Sequence, residues 1–452
     1  MQSQTRPGTV STTLLWHVPA ALILAIYLPA ALLGMYFFRD AYAASFLALL
    51  AIFAGSYYGL YPRFARMLQS AGTRSLLWRI GDRIDWRGWA WLAAALYVTT
   101  IGVAALTVPA TPLGAALAGG NWLDIALARA DFLVTRDGPE ALLRYLALIL
   151  GRSVMPFLIA YLYWSRHRLR HLALTVLLVL FLIPLEKVSP LFAFLPLILL
   201  RALARDYKAA LAHAACLVAC VGLATYLAAG GLYDSQRRAA SGLSGHTVQE
   251  QVIPSTKVDR DVKLSDDAGR QYLHRRLNPA DDFARTGGPG YQIYLLANRA
   301  AWVPYATAYD WLKFHHDVLH GQLVLGRSIG IVSWLMGKPR VFLEQMVYQF
   351  SFGASPGGAG ASNTIFFVDA KLNFGWFGAA AYCALFTLLA AIVFSSANHV
   401  AQIASVTSFF TAALSPLTAS LLSGGLLFYL TISSLTRLDG GAPPAVPDRR
   451  RL

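Results

Sequence analysis

The sequence predicts an all-α polytopic membrane protein with about ten transmembrane helices and a large late periplasmic loop containing amphipathic helices. Of its 452 residues, 56% are hydrophobic and 13% are charged, whereas charged residues make up about 25% of an ordinary soluble domain. So few charges cannot cover the surface of a soluble protein of this length, which excludes a cytosolic enzyme. The same hydrophobic, aromatic-rich composition excludes a disordered chain.

Ten apolar stretches are candidate spans, because a helix needs about 20 mostly apolar residues to cross a bilayer. They are Leu14–Phe38, Ala41–Tyr61, Trp89–Pro109, Leu143–Trp164, His171–Leu185, Pro190–Leu203, Ala209–Gly230, Phe374–Phe394, Ile403–Ala419 and Leu421–Leu435. The first is too long for a cleaved signal peptide. The fifth and sixth are short and joined by a tight turn, which fits either a hairpin of half-length helices or one broken span.

Arginine and lysine predict the orientation, because they concentrate in the cytoplasmic loops of membrane proteins. They are dense in 62–88, 165–171, 201–208 and the tail 449–451, so both termini are expected inside. The net charge of +15 is explained by these loops rather than by nucleic-acid binding. The predicted units are an N-terminal transmembrane bundle (1–230), a periplasmic segment (231–373) and C-terminal transmembrane helices with a cytoplasmic tail (374–452).

The outer segment has two halves of different character. Its first half, up to Gly290, is rich in Pro, Gly, Ser and paired charges, which predicts a loop with one helix near Asp267–Leu277. Tyr291–Phe314 and Trp334–Phe352 instead place aromatic and aliphatic residues at helical spacing. This pattern predicts amphipathic helices that lie at the outer membrane interface.

Ionisable residues at the outer ends of spans are candidates for function, because a charge at the edge of a bilayer is costly without a role. Arg129, Arg144 and Arg152 lie before or within the fourth span, where phosphate binding and snorkelling with local ion pairs are both open. Glu186 and Lys187 form a charged turn between two short spans. This turn is either a membrane boundary or a half-helix anion site.

A third candidate group lies in the apolar, aromatic run that ends the outer loop. Asn298 and Arg299 precede Tyr305 there, and an arginine in such a run is a poor choice for packing alone. A guanidinium binds two phosphate oxygens at once, which favours a phosphate-binding role.

The start of the eighth span supplies further candidates. Asn363, Asp369 and Lys371 are either binding residues or simply the beginning of a helix that is kinked at Gly375. The outer histidines are His315, His316 and His320. Their spacing does not place a pair on one helix face, so no metal site is predicted. One of them could act as a general base, because histidine titrates near neutral pH.

Three segments carry a resemblance to a known family. They are Glu186-Lys187-Val-Ser-Pro190, the run NRAAWVPY (Asn298–Tyr305) and SPGGAGASNTIFFVDAKLNFGWFG (Ser355–Gly378), set in a multispan chain with a late outer loop. In this arrangement the chain resembles the bacterial O-antigen polymerase family, the oligosaccharide repeat-unit polymerases, which are C-type membrane glycosyltransferases. The loop before Gly290 has no counterpart in that resemblance.

The resemblance implies a polymerase of the bacterial inner membrane that works at the periplasmic face. Such an enzyme transfers a growing glycan from undecaprenyl pyrophosphate to the next lipid-linked repeat unit. No metal or other cofactor is expected. The implied partners are the lipid-linked glycans, the bilayer, a chain-length regulator and a flippase, but no nucleic acid.

Positively charged residues suit this chemistry, because fixed cations stabilise the negative charge that develops on a departing pyrophosphate. Arg299 and Lys187 are the predicted catalytic cations, and His316 and Asp369 are the candidate acceptor bases. The predicted substrate-binding residues are Arg129, Arg144, Arg152, Asn298, Tyr305, Asn363 and Lys371.

Three alternatives stay open. An O-antigen ligase would use the same donor, and the outer histidines favour it. A transporter of lipid-linked sugars would show paired halves, and no such repeat is found. A C-type glycosyltransferase acting through its first outer loop would use Arg39 and Asp40, although a lone aspartate there also fits a simple hairpin cap.

Overall fold

The structure is a computed structural model that describes residues 12–70, 86–120, 122–134, 136, 138–240, 298, 302–352 and 361–436. These residues form helices and turns, and no strand occurs among them. Five helical segments are long and apolar enough to cross a membrane: Leu14–Tyr36, Ala43–Leu68, Ala141–Trp164, Tyr207–Leu227 and Phe366–Phe394. The prediction of an all-α chain with the character of a membrane protein is confirmed at this level.

The first 240 residues, as far as they are described, supply ten α-helices. These are α1 (Val18–Tyr36), α2 (Ala43–Ser70), α3 (Trp86–Leu106), α4 (Pro112–Leu117), α5 (Trp122–Arg129), α6 (Ala141–Ile149), α7 (Met155–Trp164), α8 (Arg170–Leu182), α9 (Ser189–Leu203) and α10 (Tyr207–Ala240). Short 3-10 helices precede α1 at Thr12–His17 and α6 at Gly138–Glu140. A π-helical turn follows α5 at Ala130–Val134, and a second one joins α6 to α7 at Leu150–Val154.

The later described ranges supply seven more. These are α11 (Val303–Asp317), α12 (Gly330–Leu335), α13 (Leu343–Phe352), α14 (Phe366–Phe394), α15 (His399–Ala413), α16 (Leu417–Leu421) and α17 (Leu426–Leu435). Four shorter apolar helical segments accompany the five long ones: Trp91–Leu106, Arg170–Leu182, Ser189–Leu203 and Leu426–Leu435.

The two short spans predicted between residues 171 and 203 are a helical hairpin. Helices α8 and α9 are joined by a turn, residues 183–188, that we call the α8–α9 turn. Leu185 takes a left-handed conformation with φ 50° within it, and the Ser189 amide donates to the Glu186 carbonyl. Pro190 stands in the first turn of α9, where a helix loses nothing by lacking the amide hydrogen.

Helix α15 lies at the centre of the bundle, in contact with α1, α7, α9 and α17. Although it is almost wholly buried, it carries several polar side chains that bond to nearby carbonyls. Ser405 and Thr407 donate to carbonyls of their own helix, whereas Ser408 donates to the Gly424 carbonyl at 2.6 Å. Small hydroxyl residues satisfied in this way allow close helix packing in an apolar surrounding.

The structure changes several predicted boundaries. The stretch Trp334–Phe352 is not one helix, because it breaks between α12 and α13 where Gly337 takes φ 62° and Pro339 follows. Helix α14 begins at Phe366, well before the predicted Phe374, and contains the kink at Gly375 with φ 69°. The ninth predicted span, Ile403–Ala419, is interrupted at residues 414–416 between α15 and α16. The last one begins late, because α17 starts at Leu426.

Helix α11 is packed more deeply than an interfacial helix would be. Trp311 and Tyr305 are fully buried, and the helix contacts α1, α2 and α14. The helix expected near Asp267–Leu277 lies outside the described residues. The ten-span count and the orientation stay predictions.

Candidate functional site

Arg152 is positioned by the π-helical turn Leu150–Val154, inside the candidate span Ala141–Trp164. A single π turn within an α-helix is rare and often marks a functional position. Its neighbours are fixed on both sides. At Gly151 an added Cβ would lie 3.0 Å from the Tyr97 hydroxyl, and Ser153 Oγ donates to the Ile149 carbonyl at 2.5 Å.

The guanidinium of Arg152 faces the α8–α9 turn. It lies 3.7 Å from a Glu186 carboxylate oxygen and 5.8 Å from the centre of the Phe192 ring. Ser189 Oγ donates to the other oxygen of Glu186 at 2.9 Å, which orients that carboxylate. The Arg152 Nε is buried and makes no hydrogen bond to any described residue. Arg152 therefore has one buried donor without a partner, while one acid balances its charge.

Arg129 reaches the same turn from the end of α5. Its guanidinium donates to the Leu185 carbonyl and so fastens α5 to the α8–α9 turn. Lys187 belongs to that turn itself. Arg129 and Arg152 thus both reach the turn that carries Lys187, although the three residues lie in different parts of the sequence. We call Arg129, Arg152, Glu186 and Lys187 the basic cluster.

A pocket lies beside Arg152 and encloses about 350 Å³, including space open to solvent. Arg152, Glu186 and Ser189 form its polar side. Its other walls are largely apolar and aromatic and include Tyr97, Ile101, Leu133, Phe181 and Phe192. A ligand with an anionic group attached to an apolar chain matches this division of polarity.

Arg144 and Asn363 are exposed side chains rather than parts of the pocket wall. Arg144 lies on α6, the helix that leads into the π turn of Arg152. Asn363 lies in the extended segment before α14 and does not cap that helix, whose N-cap is Ile365. Their predicted substrate-binding roles stay predictions.

Tyr305 has a structural contact that sequence reasoning did not anticipate. Its hydroxyl donates to Asp40 Oδ2 at 3.0 Å, and the ring is fully buried against Gly34, where an added Cβ would lie 2.3 Å from the hydroxyl. The pair fixes α11 onto the turn between α1 and α2. A substrate cannot reach the Tyr305 hydroxyl in this arrangement. Asn298 is helical and its carbonyl accepts from the Trp302 amide, whereas Arg299 lies outside the described residues.

His316 is exposed near the end of α11. Its Nδ1 lies 2.9 Å from Asp317, and the Tyr42 hydroxyl donates to the same carboxylate at 3.3 Å. Burial and the charge of Asp317 raise the pKa of Tyr42 above its usual value. A histidine oriented by a carboxylate is a common arrangement of a general base.

His315, its neighbour, has a different environment. Burial lowers the pKa of its imidazole below the usual value, and the charge of Lys371 lowers it further. An imidazole that stays neutral near pH 7 can accept a proton. The sequence analysis named His316 rather than His315 as the candidate base. The pattern of apolar residues does not show that His315 is half-buried and His316 is exposed.

Asp369 and Lys371 lie in the first turns of α14. Asp369 is buried, and Asn373 Nδ2 donates both to its carbonyl and to its carboxylate at 2.9 and 3.0 Å. The Lys371 ammonium lies 5.0 Å from the centre of the Trp376 ring. His316, Asp369 and Lys371 therefore lie on α11 and α14 rather than on the α8–α9 turn.

Arg136 is a buried residue that the sequence analysis missed. It donates to the carbonyls of Phe132 and Ala104 at 2.7 and 3.0 Å and to Thr107 Oγ1 at 2.8 Å. These bonds tie the end of α3 to the segment that leads into α6. Its position between two other arginines, Arg129 and Arg144, carries no signal that separates a structural arginine from a ligand-binding one.

No group of three or more metal-ligating side chains occurs among the described residues. Comparisons with protein-family models, with curated proteins and with solved structures give no match to this chain. The functional conclusion therefore depends on the geometry of the site and on the resemblance given above.

Proposed function

We propose that the chain is a membrane glycosyltransferase that polymerises undecaprenyl-pyrophosphate-linked oligosaccharide repeat units at the periplasmic face of the bacterial inner membrane. The observation that supports this most is that Arg129 and Arg152 reach the turn that carries Lys187, beside a largely apolar pocket that Arg152 lines. A lipid-linked pyrophosphate has the matching pair of features, a charged group and a long apolar chain.

In the proposed reaction an acceptor hydroxyl attacks the anomeric carbon of the donor glycan. The bond from that carbon to the pyrophosphate oxygen breaks, and undecaprenyl pyrophosphate leaves with the electron pair. Arginine and lysine near that oxygen would stabilise its developing charge, most strongly where water is scarce. The hydroxyl proton passes to a base, for which His316 and Asp369 are the predicted candidates and His315 is a third.

The basic cluster would hold the pyrophosphate without a metal ion. Glu186 already balances part of the charge of Arg152, and an incoming phosphate oxygen would compete with that carboxylate for the guanidinium. Arg299, in the predicted phosphate-binding segment, would add a further cation. The charge that a metal supplies in many phosphate-handling enzymes would then come from these side chains.

The proposal is tested with the purified chain in lipid nanodiscs. The substrate is the lipid-linked repeat unit isolated from a strain that lacks this protein. We expect a ladder of polymer on undecaprenyl pyrophosphate, formed equally well in excess EDTA. A ladder that vanishes in EDTA and returns with magnesium would overturn the cation-based mechanism while leaving the polymerase activity in place.

The O-antigen ligase is the second candidate, because the His316–Asp317 pair offers a base for transfer to a different acceptor. The polysaccharide of the deletion strain separates the two. Single repeat units on the lipopolysaccharide core identify a polymerase, whereas long polymer retained on undecaprenyl identifies a ligase. Repeat units trapped on the cytoplasmic face would indicate a transporter instead.

A further inference from the structure

The segment Gly321–Phe342, which we call the α12 lobe, is fastened to the kink of α14. The amides of Val324 and Leu325 donate to the carbonyls of Leu372 and Asn373 at 3.1 and 2.9 Å. The side-chain oxygen of Asn373 accepts from the Gly326 amide and from Ser328 Oγ at 3.1 and 3.0 Å. Asn373 is fully buried and lies two residues before the kink. The lobe is thus attached to a helix that is itself a candidate membrane span.

Hydrogen bonds within the lobe keep its shape. Arg327 donates to the Pro339 carbonyl, and Arg340 donates back across the lobe to the Ser328 carbonyl at 3.1 Å. Ser333 Oγ donates to the Lys338 carbonyl at 2.6 Å, which closes the turn after α12. These hydrogen bonds form a frame that fixes the position of α12 within the lobe.

The outward face of α12 is apolar. Ile331, Trp334 and Leu335 are 72%, 78% and 70% exposed, and their spacing places all three on one side of the helix. The opposite side is used for packing, with Ser333 buried and Val332 close to Gly326. A water-exposed surface rarely presents three large apolar side chains together on a rigid frame. We therefore expect this face to contact either lipid or another protein.

The charges around this face favour contact with anionic lipid over contact with a protein. The lobe carries Arg327, Lys338 and Arg340, and the sequence between Asp317 and Glu344 contains no acidic residue. A short helix with Trp and aliphatic residues on one face and cations beside it is typical of a segment that lies in the headgroup region of a bilayer. A protein partner would have to present both an apolar surface and acids, whereas anionic phospholipid offers both in one layer.

We propose that the α12 lobe inserts into the bilayer interface on the side where α14 begins. Ile331, Trp334 and Leu335 enter the boundary between headgroups and acyl chains, and Lys338 and Arg340 contact lipid phosphates. This surface is independent of the basic cluster and of the proposed glycosyl transfer. Through Asn373 it anchors the kinked end of α14 to the membrane.

The test uses the full chain in nanodiscs that contain phosphatidylglycerol. Cys216 and Cys220 are changed to alanine, and Cys383 is left because it is fully buried. An environment-sensitive NBD fluorophore is attached at Trp334→Cys, at Leu335→Cys in case the first variant misfolds, and at Gln322→Cys as an exposed control within the lobe.

We expect blue-shifted NBD emission at 334 and 335, quenched severalfold more strongly by spin-labelled phospholipid than the emission at 322. Lys338→Gln, which leaves the hydrogen bonds of the frame intact, should reduce this quenching in anionic discs. Emission like that of NBD in water at 334 and 335, with quenching by aqueous iodide, overturns the proposal. A blue shift without quenching by lipid overturns it too, because it identifies cover by protein.

Discussion

Arg152 is the residue on which the proposed site depends most, because its charge lies within a candidate span and its neighbours fix its direction. An arginine there needs a partner, and Glu186 at 3.7 Å supplies a single carboxylate. Phe192 covers one face of the guanidinium. Arg152 also lines the pocket in which the proposed pyrophosphate would bind.

The first prediction concerns this guanidinium. Arg152→Ala should lower the polymerisation rate about a hundredfold, the usual loss when one preorganised donor to a developing anion is removed. Arg152→Lys should recover little, because an ammonium cannot bind two phosphate oxygens in a fork. The measurement is the initial rate with the lipid-linked repeat unit, checked against folding by size-exclusion chromatography.

Arg168→Ala is the matched control, because Arg168 is an exposed arginine in the turn between α7 and α8 and belongs to no proposed site. Its rate should stay within a few-fold of wild type. An Arg152→Ala protein that folds and polymerises like wild type would remove Arg152 from the proposed mechanism.

The second prediction concerns His315 and pH. Burial lowers the pKa of His315 in the folded protein, whereas a histidine in the unfolded chain has a pKa of about 6.5. Between these two pKa values the unfolded chain binds more protons, so the free energy of unfolding rises with pH up to about 6.5. His315 contributes its full stability above that pH and loses it as the solution is acidified.

We therefore expect the thermal midpoint in detergent to fall between pH 7.5 and pH 5, and to fall less for His315→Gln. His320→Asn is the control, since His320 is exposed and asparagine tolerates its φ of 48°. An identical acid-induced loss in all three proteins would show that His315 does not carry the effect.

The sequence predicted these cations as site residues but not which of them share a turn. Arg129, Arg152 and Lys187 were predicted because charge at a membrane boundary is conspicuous in an apolar chain. That they share one turn, and that Tyr305 bonds to Asp40, are contacts between distant segments that spacing cannot encode. Arg136 was missed for a related reason. The carbonyls to which it donates belong to the backbone, so the sequence of side chains does not reveal them.

At the scale of elements, the break between α16 and α17 packs against the π turn that carries Arg152. Gly425 has φ 76° and lies so close to Ser153 that an added Cβ would be 2.2 Å from the serine Cβ. The Tyr429 hydroxyl donates to the Ser153 carbonyl at 2.9 Å. Two irregular pieces of helix thus support each other. The π turn was not predicted, because Leu143–Trp164 looks continuous in hydropathy, whereas the break lies a few residues after the boundary predicted between Ala419 and Leu421.

The third prediction follows from this contact. Gly425→Ala should destabilise the protein by about 2 kcal/mol or more, since it adds left-handed strain and a clash in a packed core. It should also lower the polymerisation rate, because the clash displaces the turn that positions Arg152. Adding Ser153→Gly should recover part of both losses, since it removes the clash and leaves the strain.

Gly222→Ala in α10 is the matched control, because no atom would lie within 4 Å of its new Cβ. It should be neutral or slightly stabilising, as alanine is favoured over glycine within a helix. A thermal midpoint for Gly425→Ala equal to that of Gly222→Ala would show that the break is not supported by Ser153.

At the scale of the whole molecule, contacts show which ends of the helices lie on the same side. Tyr42 and Tyr309 place the α1–α2 turn beside α11, with ring centres 5.6 Å apart. At the opposite end of α14, Asn398 donates to Thr436 and so joins the start of α15 to the end of α17. Composition predicted the fold class because the bilayer is itself the dominant constraint, whereas the burial of α11 depends on pairings among distant aromatic residues.

The last prediction concerns orientation, and it follows from where the arginines gather. The turn between α7 and α8 and the start of α10 lie together, because Tyr163 bonds to His171 and packs against His213. This end carries the loops 165–171 and 201–208, whose positive charge predicts the cytoplasmic side. The α12 lobe lies in the segment 231–373, which the same rule places outside.

Lys208→Cys tests the predicted cytoplasmic side and Gln322→Cys tests the predicted periplasmic side. Both positions are exposed, and both variants are made in a protein with Cys216→Ala and Cys220→Ala. In intact spheroplasts an impermeant maleimide should label position 322 and leave 208 unlabelled until the cells are opened. The reverse pattern would invert the orientation and place the basic cluster away from periplasmic substrates. Labelling of both positions in intact cells would contradict a membrane between them, and with it the assignment of α10 as a span.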